Sequence, residues 1–387
     1  MHILKNMLLV VFVLLLSSMK GEAQTAKSNI PSGFPKHTVF SAGDNNVNSY
    51  RIPSLIVAKD GSIIVFCEAR RESWRDKSRT DIVMKRSTDN GKTWSTMQDL
   101  THGSTGAFMD PTPLIDHTTG RIFLFTTFWP AKDHSGATNR AILLTSNDNG
   151  KTWSQPMDVT EKLVSKNRFI YGFGPGAGIQ MTGKKYRNRL ILPARVSEKG
   201  NKRAHDVAIF SDDHGFTWTV GGHGDTDDEF QIAESPAGVL VYNAREPKAR
   251  KVAISKDGGE SWTKSVIEPN LPSVSKGCQA SILGKGKILY FSGIQGIHET
   301  SEFDERAKLT LYKSKNGGRK WNKGQLLYEK ASGYSCMAFL PNGSMAIIFE
   351  TGDSQSFTRK SIPDIKPLKR PKDWMRLDLI VIPSGSL

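Results

Sequence analysis

The chain has 387 residues, with 53 Lys and Arg against 38 Asp and Glu, a formal charge of +15 when histidine is neutral. Hydrophobic residues make up 37% and charged residues 24%, enough apolar content to build a core, which excludes a generically disordered chain. The basic excess fits an anionic partner and does not choose among nucleic acid, a charged surface and an acidic small molecule.

Residues 1–23 read as a secretory signal: Lys5 gives a positive start, Leu8 to Leu16 an apolar run of nine, and Gly21-Glu22-Ala23 a small-residue cleavage site. The run is short for a membrane span, so the expectation is a secreted or periplasmic protein without a stable membrane anchor once the signal is removed. Cleavage removes Lys5, Lys20 and Glu22, a net +1, and leaves +14 on the mature chain. Residues 24–36 are expected to be a flexible lead-in, and 37–387 a single folded domain. The cysteines, Cys67, Cys278 and Cys336, are odd in number and lie in strand-like surroundings. Buried free thiols are expected rather than a disulfide framework or a zinc site.

An eight-residue pattern then recurs: Ser87 to Trp94, Ser146 to Trp153, Ser211 to Trp218, Ser255 to Trp262 and Ser314 to Trp321. The third residue is Asp89, Asp148, Asp213 and Asp257, with Asn316 in the fifth copy. A short Asp can accept bonds from backbone N–H groups across a tight turn, and the following Gly permits positive φ. The Trp is expected to re-enter a strand and pack under the turn. A β-rich run precedes each box, as in Arg140 to Thr145 and Leu309 to Lys313, so each box is predicted to be a strand-turn-strand element. Calcium loops would need further alternating carboxylates and a distal Glu, which the boxes lack.

Successive boxes start 59, 65, 44 and 59 residues apart, about the length of a four-stranded blade. Five boxes plus an unboxed repeat from Ser335 to Phe349 and Met375 to Ile382 predict an all-β, six-bladed β-propeller with Asp-box hairpins. Its last blade should combine strands from both chain ends. The basic stretch from Arg359 to Arg376 has no aromatic-basic recognition module beside it, and reads as a solvated connection rather than a nucleic-acid site.

Motifs outside the boxes carry a resemblance. Tyr50-Arg51-Ile52-Pro53, Phe66-Cys67-Glu68-Ala69-Arg70 with Asp76 and Asp81-Ile82-Val83, Gly174-Pro175-Gly176, Asn243-Ala244-Arg245, Arg306 before Leu309-Thr310-Leu311, and Tyr334-Ser335 occur in this order. From about residue 38 to the C-terminus the chain resembles the exo-α-sialidase (neuraminidase) family of bacterial-type glycoside hydrolases. The resemblance implies hydrolysis of terminal sialic acids on sialylated glycans, with no metal and no cofactor.

The chemistry fits the residue types. Sialic acid carries a carboxylate on its anomeric carbon, so three arginines from different blades, Arg51, Arg245 and Arg306, can hold that anion bidentately. Glu350 matches the family's acidic residue that steadies the first arginine. A carboxylate nucleophile would be repelled by the substrate anion, whereas a neutral phenol is not, provided a base takes its proton. Tyr334 is the expected nucleophile, with Glu229 as its base and Glu234 as the rival, five residues on and facing the other side of a strand. Asp76, in the loop from Arg71 to Thr80, resembles the family's mobile acid, with Glu72 as its rival. Arg70 and Asp110 are expected to supplement the clamp or meet the O4 side of the sugar, and Trp129 either walls an acyl pocket or packs in the core. Two other readings are a trans-sialidase, including an intramolecular one, and a sialoglycan-binding propeller without catalysis.

Overall fold

The computed structural model describes residues 33–103, 105–131, 136–200, 203–297, 306–353 and 376–387. The expected signal at 1–23, the lead-in up to residue 32 and the basic stretch 359–375 lie outside the described residues.

Antiparallel strands build six blades, each counted from the centre outward. Blade I holds Ser49–Val57, Ile63–Arg70, Thr80–Ser87 and Gln98–Asp99, and blade II holds Ala107–Ile115, Ile122–Trp129, Arg140–Ser146 and Met157–Asp158. Blade III is Arg168–Phe173, Leu190–Glu198, Ala204–Ser211 and Thr219–His223, with Ile179–Gln180 added to its second strand. Blade IV is Phe230–Glu234, Leu240–Glu246, Ala249–Ser255 and Val266–Ile267. The 15-residue strand Gln325–Phe339 serves two blades. Its first part pairs with Ala307–Ser314 and ends blade V, after Ser281–Lys285 and Ile288–Ile294. Its second part is the innermost strand of blade VI and pairs with Met345–Thr351. Arg376–Ile382 and the N-terminal strand Lys36–Ser41 complete that blade from both chain ends. Lys36 already pairs with Ile380, so the lead-in stops before it rather than at it.

Packing follows the two-residue period of a strand. In the second strand of blade I, Ile63, Val65 and Cys67 face a cluster with Ile348 and Leu379 of blade VI, while Ile64 and Phe66 face one with Leu124 and Ile142 of blade II. Comparable apolar layers fill the other blade boundaries. Both faces of a middle strand are thus buried, which is why these segments read as unbroken apolar runs. Burying each Val, Ile, Leu or Phe contributes about 1.5–3 kcal/mol. The three cysteines are free and buried.

Each box joins the third and fourth strands of its blade, and the turn glycines of the first four boxes dock on the preceding blade. Asp148 Oδ1 accepts from the Thr152 N–H at 2.9 Å and from Ser146 Oγ at 2.8 Å, and its Oδ2 accepts from Thr152 Oγ1 at 2.6 Å. Gly150 has φ 77°, and a Cβ there would stand 2.4 Å from Ile64 Cδ1 of blade I. Glycine is therefore required for conformation and for close approach. Trp153 packs edge-on against Phe66 of blade I, and Trp218 against Phe123 and Phe125 of blade II. One expectation is corrected: the box tryptophans lie just ahead of the outermost strand, not in it. Turning the indole into the layer between blades takes its residue out of the ladder.

These turns are acid-sensitive by construction. Donated hydrogen bonds, above all from Thr152 and Thr217, hold Asp148 and Asp213 down at about 2, below the usual ~3.9 of an unfolded Asp. A depressed folded-state value means the stabilisation is present above the unfolded value and is lost as pH falls through the folded one. Asn316 makes the corresponding bonds with Ser314 and Lys320 without titrating. An Asp148→Asn, Asp213→Asn double variant should therefore unfold near the parent temperature at pH 7. Its melting temperature, followed by circular dichroism, should fall less steeply than the parent's from about pH 4 to about pH 2.

Candidate active site

Innermost strands begin, and second strands end, on the face opposite the boxes, and the predicted site residues collect there. Arg51 lies near the start of the innermost strand of blade I, and Tyr334 near the start of that of blade VI. Glu229 directly precedes the innermost strand of blade IV. Arg70, Arg245 and Glu350 lie at the ends of second strands, and Arg306 directly precedes Ala307–Ser314.

Tyr334 is the centre. Its hydroxyl donates to Glu229 Oε1 at 2.5 Å and accepts from Arg245 Nη1 at 3.0 Å, and the same nitrogen donates to Glu229 Oε2 at 2.8 Å. The guanidinium carbons of Arg51 and Arg306 lie 5.5 and 5.3 Å from the centroid of the Tyr334 ring. Three guanidinium groups from blades I, IV and V therefore surround one phenol. Burial and the charge of Glu229 push the phenol well above its ordinary value, against Arg245 and Arg306, so without a base it stays neutral at physiological pH. Burial raises Glu229 too, but Arg245, Arg195 and the Tyr334 hydrogen bond outweigh it and leave a net lowering. An ionised carboxylate thus sits on a neutral phenol, the arrangement a base and its nucleophile require.

The braces around this group repeat. Glu350 accepts from Arg51 Nε at 3.0 Å and Nη2 at 3.3 Å, from the Ile52 N–H at 3.0 Å and from the Tyr334 N–H at 3.3 Å. Glu68 accepts from Arg70 Nε at 2.9 Å and from the Asp110 N–H at 2.9 Å. Ile52 and Asp110 each precede a proline at a bulge of an innermost strand, with φ 55° and 57°. Each bulge is held by a carboxylate from the preceding blade, which offsets the cost of a left-handed non-glycine residue. Gly277 serves the third arginine: its carbonyl accepts from Arg306 Nη2 at 3.3 Å, and with φ 68° and Arg245 Cγ 2.7 Å from where a Cβ would stand, any other residue there would be strained and would displace Arg245.

Asp76 is exposed on the loop that follows Arg70. Its Oδ1 lies 2.7 Å from Arg70 Nη1 and 3.8 Å from Arg51 Nη1. Arg70 first, then Arg51, outweigh desolvation and hold this carboxyl down at about 2. Glu72 is turned away to Arg79, 3.5 Å off, and Glu234 accepts from Thr182 and the Gly183 N–H. Asp110 is buried and accepts from Arg195 Nη2 at 3.0 Å; burial raises its carboxyl and Arg195 opposes the rise. Trp129 is buried beside Ala107 and Met109 and edge-on to Tyr171.

Sequence reasoning missed Arg195 and the bracing role of Glu68, although both left a signal. Glu68 and Glu350 each stand seven residues after a turn glycine, Gly61 and Gly343. Second strands carry a shared Ala-Arg pair toward their ends, in Glu68-Ala69-Arg70, Pro193-Ala194-Arg195 and Asn243-Ala244-Arg245. Gln279 was also missed: it donates to the Ser335 carbonyl at 3.1 Å and accepts from the Ser335 N–H at 3.0 Å, fixing the backbone beside Tyr334.

The BNR repeat-like domain family matches residues 104–347, and the BNR/Asp-box repeat matches residues 85–96. A sialidase of Micromonospora viridifaciens is 30% identical over 357 residues, covering 83% of this chain and 53% of the relative. A sialidase of Bacteroides fragilis (strain YCH46) is 30% identical over 353 residues, 81% of this chain and 62% of the relative. One of Clostridium perfringens is 31% identical over 279 residues, 64% of this chain and 71% of the relative. The chain thus spans between half and two thirds of the length of the first two. Among solved structures, the Hadza microbial sialidase Hz136 superposes with a TM-score of 0.74 at 28% identity, over 91% of this chain and 69% of that one. The intramolecular trans-sialidase from Ruminococcus gnavus shares the fold, with a TM-score of 0.71 at 19% identity over 90% and 98%. With its five Asp-boxes, six blades and these relatives, the chain belongs to the sialidase family.

Proposed function

We propose that the protein is a retaining exo-α-sialidase that releases terminal sialic acids from glycoproteins, glycolipids or oligosaccharides. The observation that carries this reading is the 2.5 Å hydrogen bond from the Tyr334 hydroxyl to Glu229 inside a ring of three arginines. Arg51, Arg245 and Arg306 take the substrate carboxylate, which places the anomeric carbon over the phenol. As Tyr334 Oη bonds to that carbon, Glu229 Oε1 takes the phenolic proton, and protonated Asp76 gives its proton to the departing glycosidic oxygen. Water then attacks the same carbon, Asp76 takes a proton from it, and the phenolate leaves and recovers its proton from Glu229. Two displacements retain configuration. Every proton in the scheme is carried by a side chain of this protein.

Asp76 must be protonated to act first, yet Arg70 and Arg51 favour its carboxylate in the free site. The substrate carboxylate neutralises part of that positive field and the sugar excludes water, and both changes raise the Asp76 value. The substrate therefore helps to prepare its own acid. The leader-like residues 1–23 support export, so the proposed site of action is outside the cytoplasm.

Release of 4-methylumbelliferone from its sialoside, with proton NMR of the first sugar formed, tests the reading. The expected product is free sialic acid appearing first as the α-anomer. Transfer to an added sugar or a 2,7-anhydro product would move the assignment to a trans-sialidase. Binding without turnover would make the protein a sialoglycan-binding propeller.

A further inference from the structure

We propose that Lys77 is a positioning residue for the acid step, latching the 71–79 loop onto blade II through the face of Trp129. The inference rests on the assignment of Asp76 as the acid. Its observation is independent of that assignment: the Lys77 ammonium lies 3.8 Å from the centroid of the Trp129 ring.

The loop is gripped from both sides. On the inner side a single atom, Arg70 Nη1, reaches the Trp74 carbonyl at 2.5 Å and Asp76 Oδ1 at 2.7 Å. The Asp76 half of that grip depends on charge and weakens when the carboxyl is protonated or turns to a leaving oxygen, which leaves the Trp74 carbonyl alone on the inner side. Within the loop, Ser78 Oγ donates to the Ser73 and Arg75 carbonyls at 3.0 and 2.8 Å, and the Arg71 N–H donates to the Arg79 carbonyl at the neck. These bonds hold the loop's shape and do not anchor it across the blade boundary.

Lys77 supplies such an anchor. It has φ 63°, a left-handed step that sends neighbouring side chains apart: Asp76 goes inward to Arg70, Lys77 outward to Trp129. Trp129 is a firm platform, 4% exposed and held edge-on by Tyr171 with ring centroids 5.4 Å apart. Trp is the best aromatic partner for a cation. The Lys77 contact does not change when Asp76 gains or loses its proton, so the acid can cycle while its loop stays docked.

The test compares kcat/KM on two substrates, 3'-sialyllactose, whose alkoxide leaving group needs a proton, and 4-methylumbelliferyl sialoside, whose leaving phenol needs little. Lys77→Met keeps the stem and the backbone requirement but removes the cation. It should lose about fivefold to tenfold on sialyllactose, with less than about a twofold loss on the aryl sialoside. Lys77→Arg should restore the lactoside rate, and Trp129→Leu should reproduce the selective loss. Equal losses on both substrates, no loss on either, or no rescue by Arg would overturn the latch. A parent protein inactive on both would remove the sialidase reading, and this proposal with it.

Discussion

Tyr334→Phe should reduce turnover of a sialoside by about 10³-fold or more while leaving the fold and sugar binding nearly intact. The change removes one oxygen. The ring still fills the cluster of Ile52, Val274, Cys278 and Ile294, and Arg51 and Arg306 still have its faces. What goes is the oxygen proposed to bond to the anomeric carbon and its 2.5 Å contact with Glu229. Melting temperature and affinity for an unreactive sialic acid analogue should stay close to the parent values as kcat collapses. A variant that keeps full activity would remove Tyr334 from the chemistry.

Arg245→Ala should be nearly as severe for a different reason. One nitrogen of Arg245 bridges Glu229 and Tyr334, and another donates to the Lys276 carbonyl at 3.0 Å. Removing a buried, hydrogen-bonded charge partner costs roughly 2–5 kcal/mol, so kcat/KM should fall by about 30-fold to 4,000-fold. A pH signature separates this from simple loss of binding. Burial raises Glu229, and Arg245 is the largest of the groups that oppose it. Without Arg245, the Glu229 value rises, the base becomes protonated at higher pH, and the acid limb of kcat/KM moves to higher pH. An unshifted limb would show that Arg245 serves the substrate alone.

Much of the fold was legible because the boxes punctuate it. Each carries a turn whose residues are set by local chemistry, and the spacing of five such turns yields the blade count. The unboxed sixth blade was legible by subtraction, since Met345–Thr351 needs partners that the remaining chain ends supply. The layers between blades were less visible, because middle strands buried on both faces lose the alternation that marks a one-sided sheet. Placement of the box tryptophans was misread for a related reason: local pattern shows the turn, but packing against the preceding blade decides where the indole goes.

The site divides in the same way. Arg51, Arg245, Arg306 and Tyr334 stand in short motifs whose order along the chain is informative. Their braces act across blades, as when Glu350 holds the backbone of Ile52, 298 residues away, and the local pattern that marks a brace does not name its partner. Glu68 shows the difficulty most clearly. It stands in a quoted motif, yet its work is done on Arg70 and on an N–H of the next blade. The basic excess of the chain gains a specific element here, in guanidinium groups held by carboxylates and backbone around a neutral phenol.

The proposed mechanism requires that Tyr334 become covalently attached to the sugar. Incubation with a 3-fluorosialyl fluoride, which forms the intermediate quickly and releases it slowly, followed by proteolysis and peptide mass spectrometry, tests this most directly. One fluorosialyl adduct is expected, on the peptide bearing Tyr334, absent from Tyr334→Phe. A label on Asp76 or Glu229, or none on a protein that turns over sialosides, would contradict it.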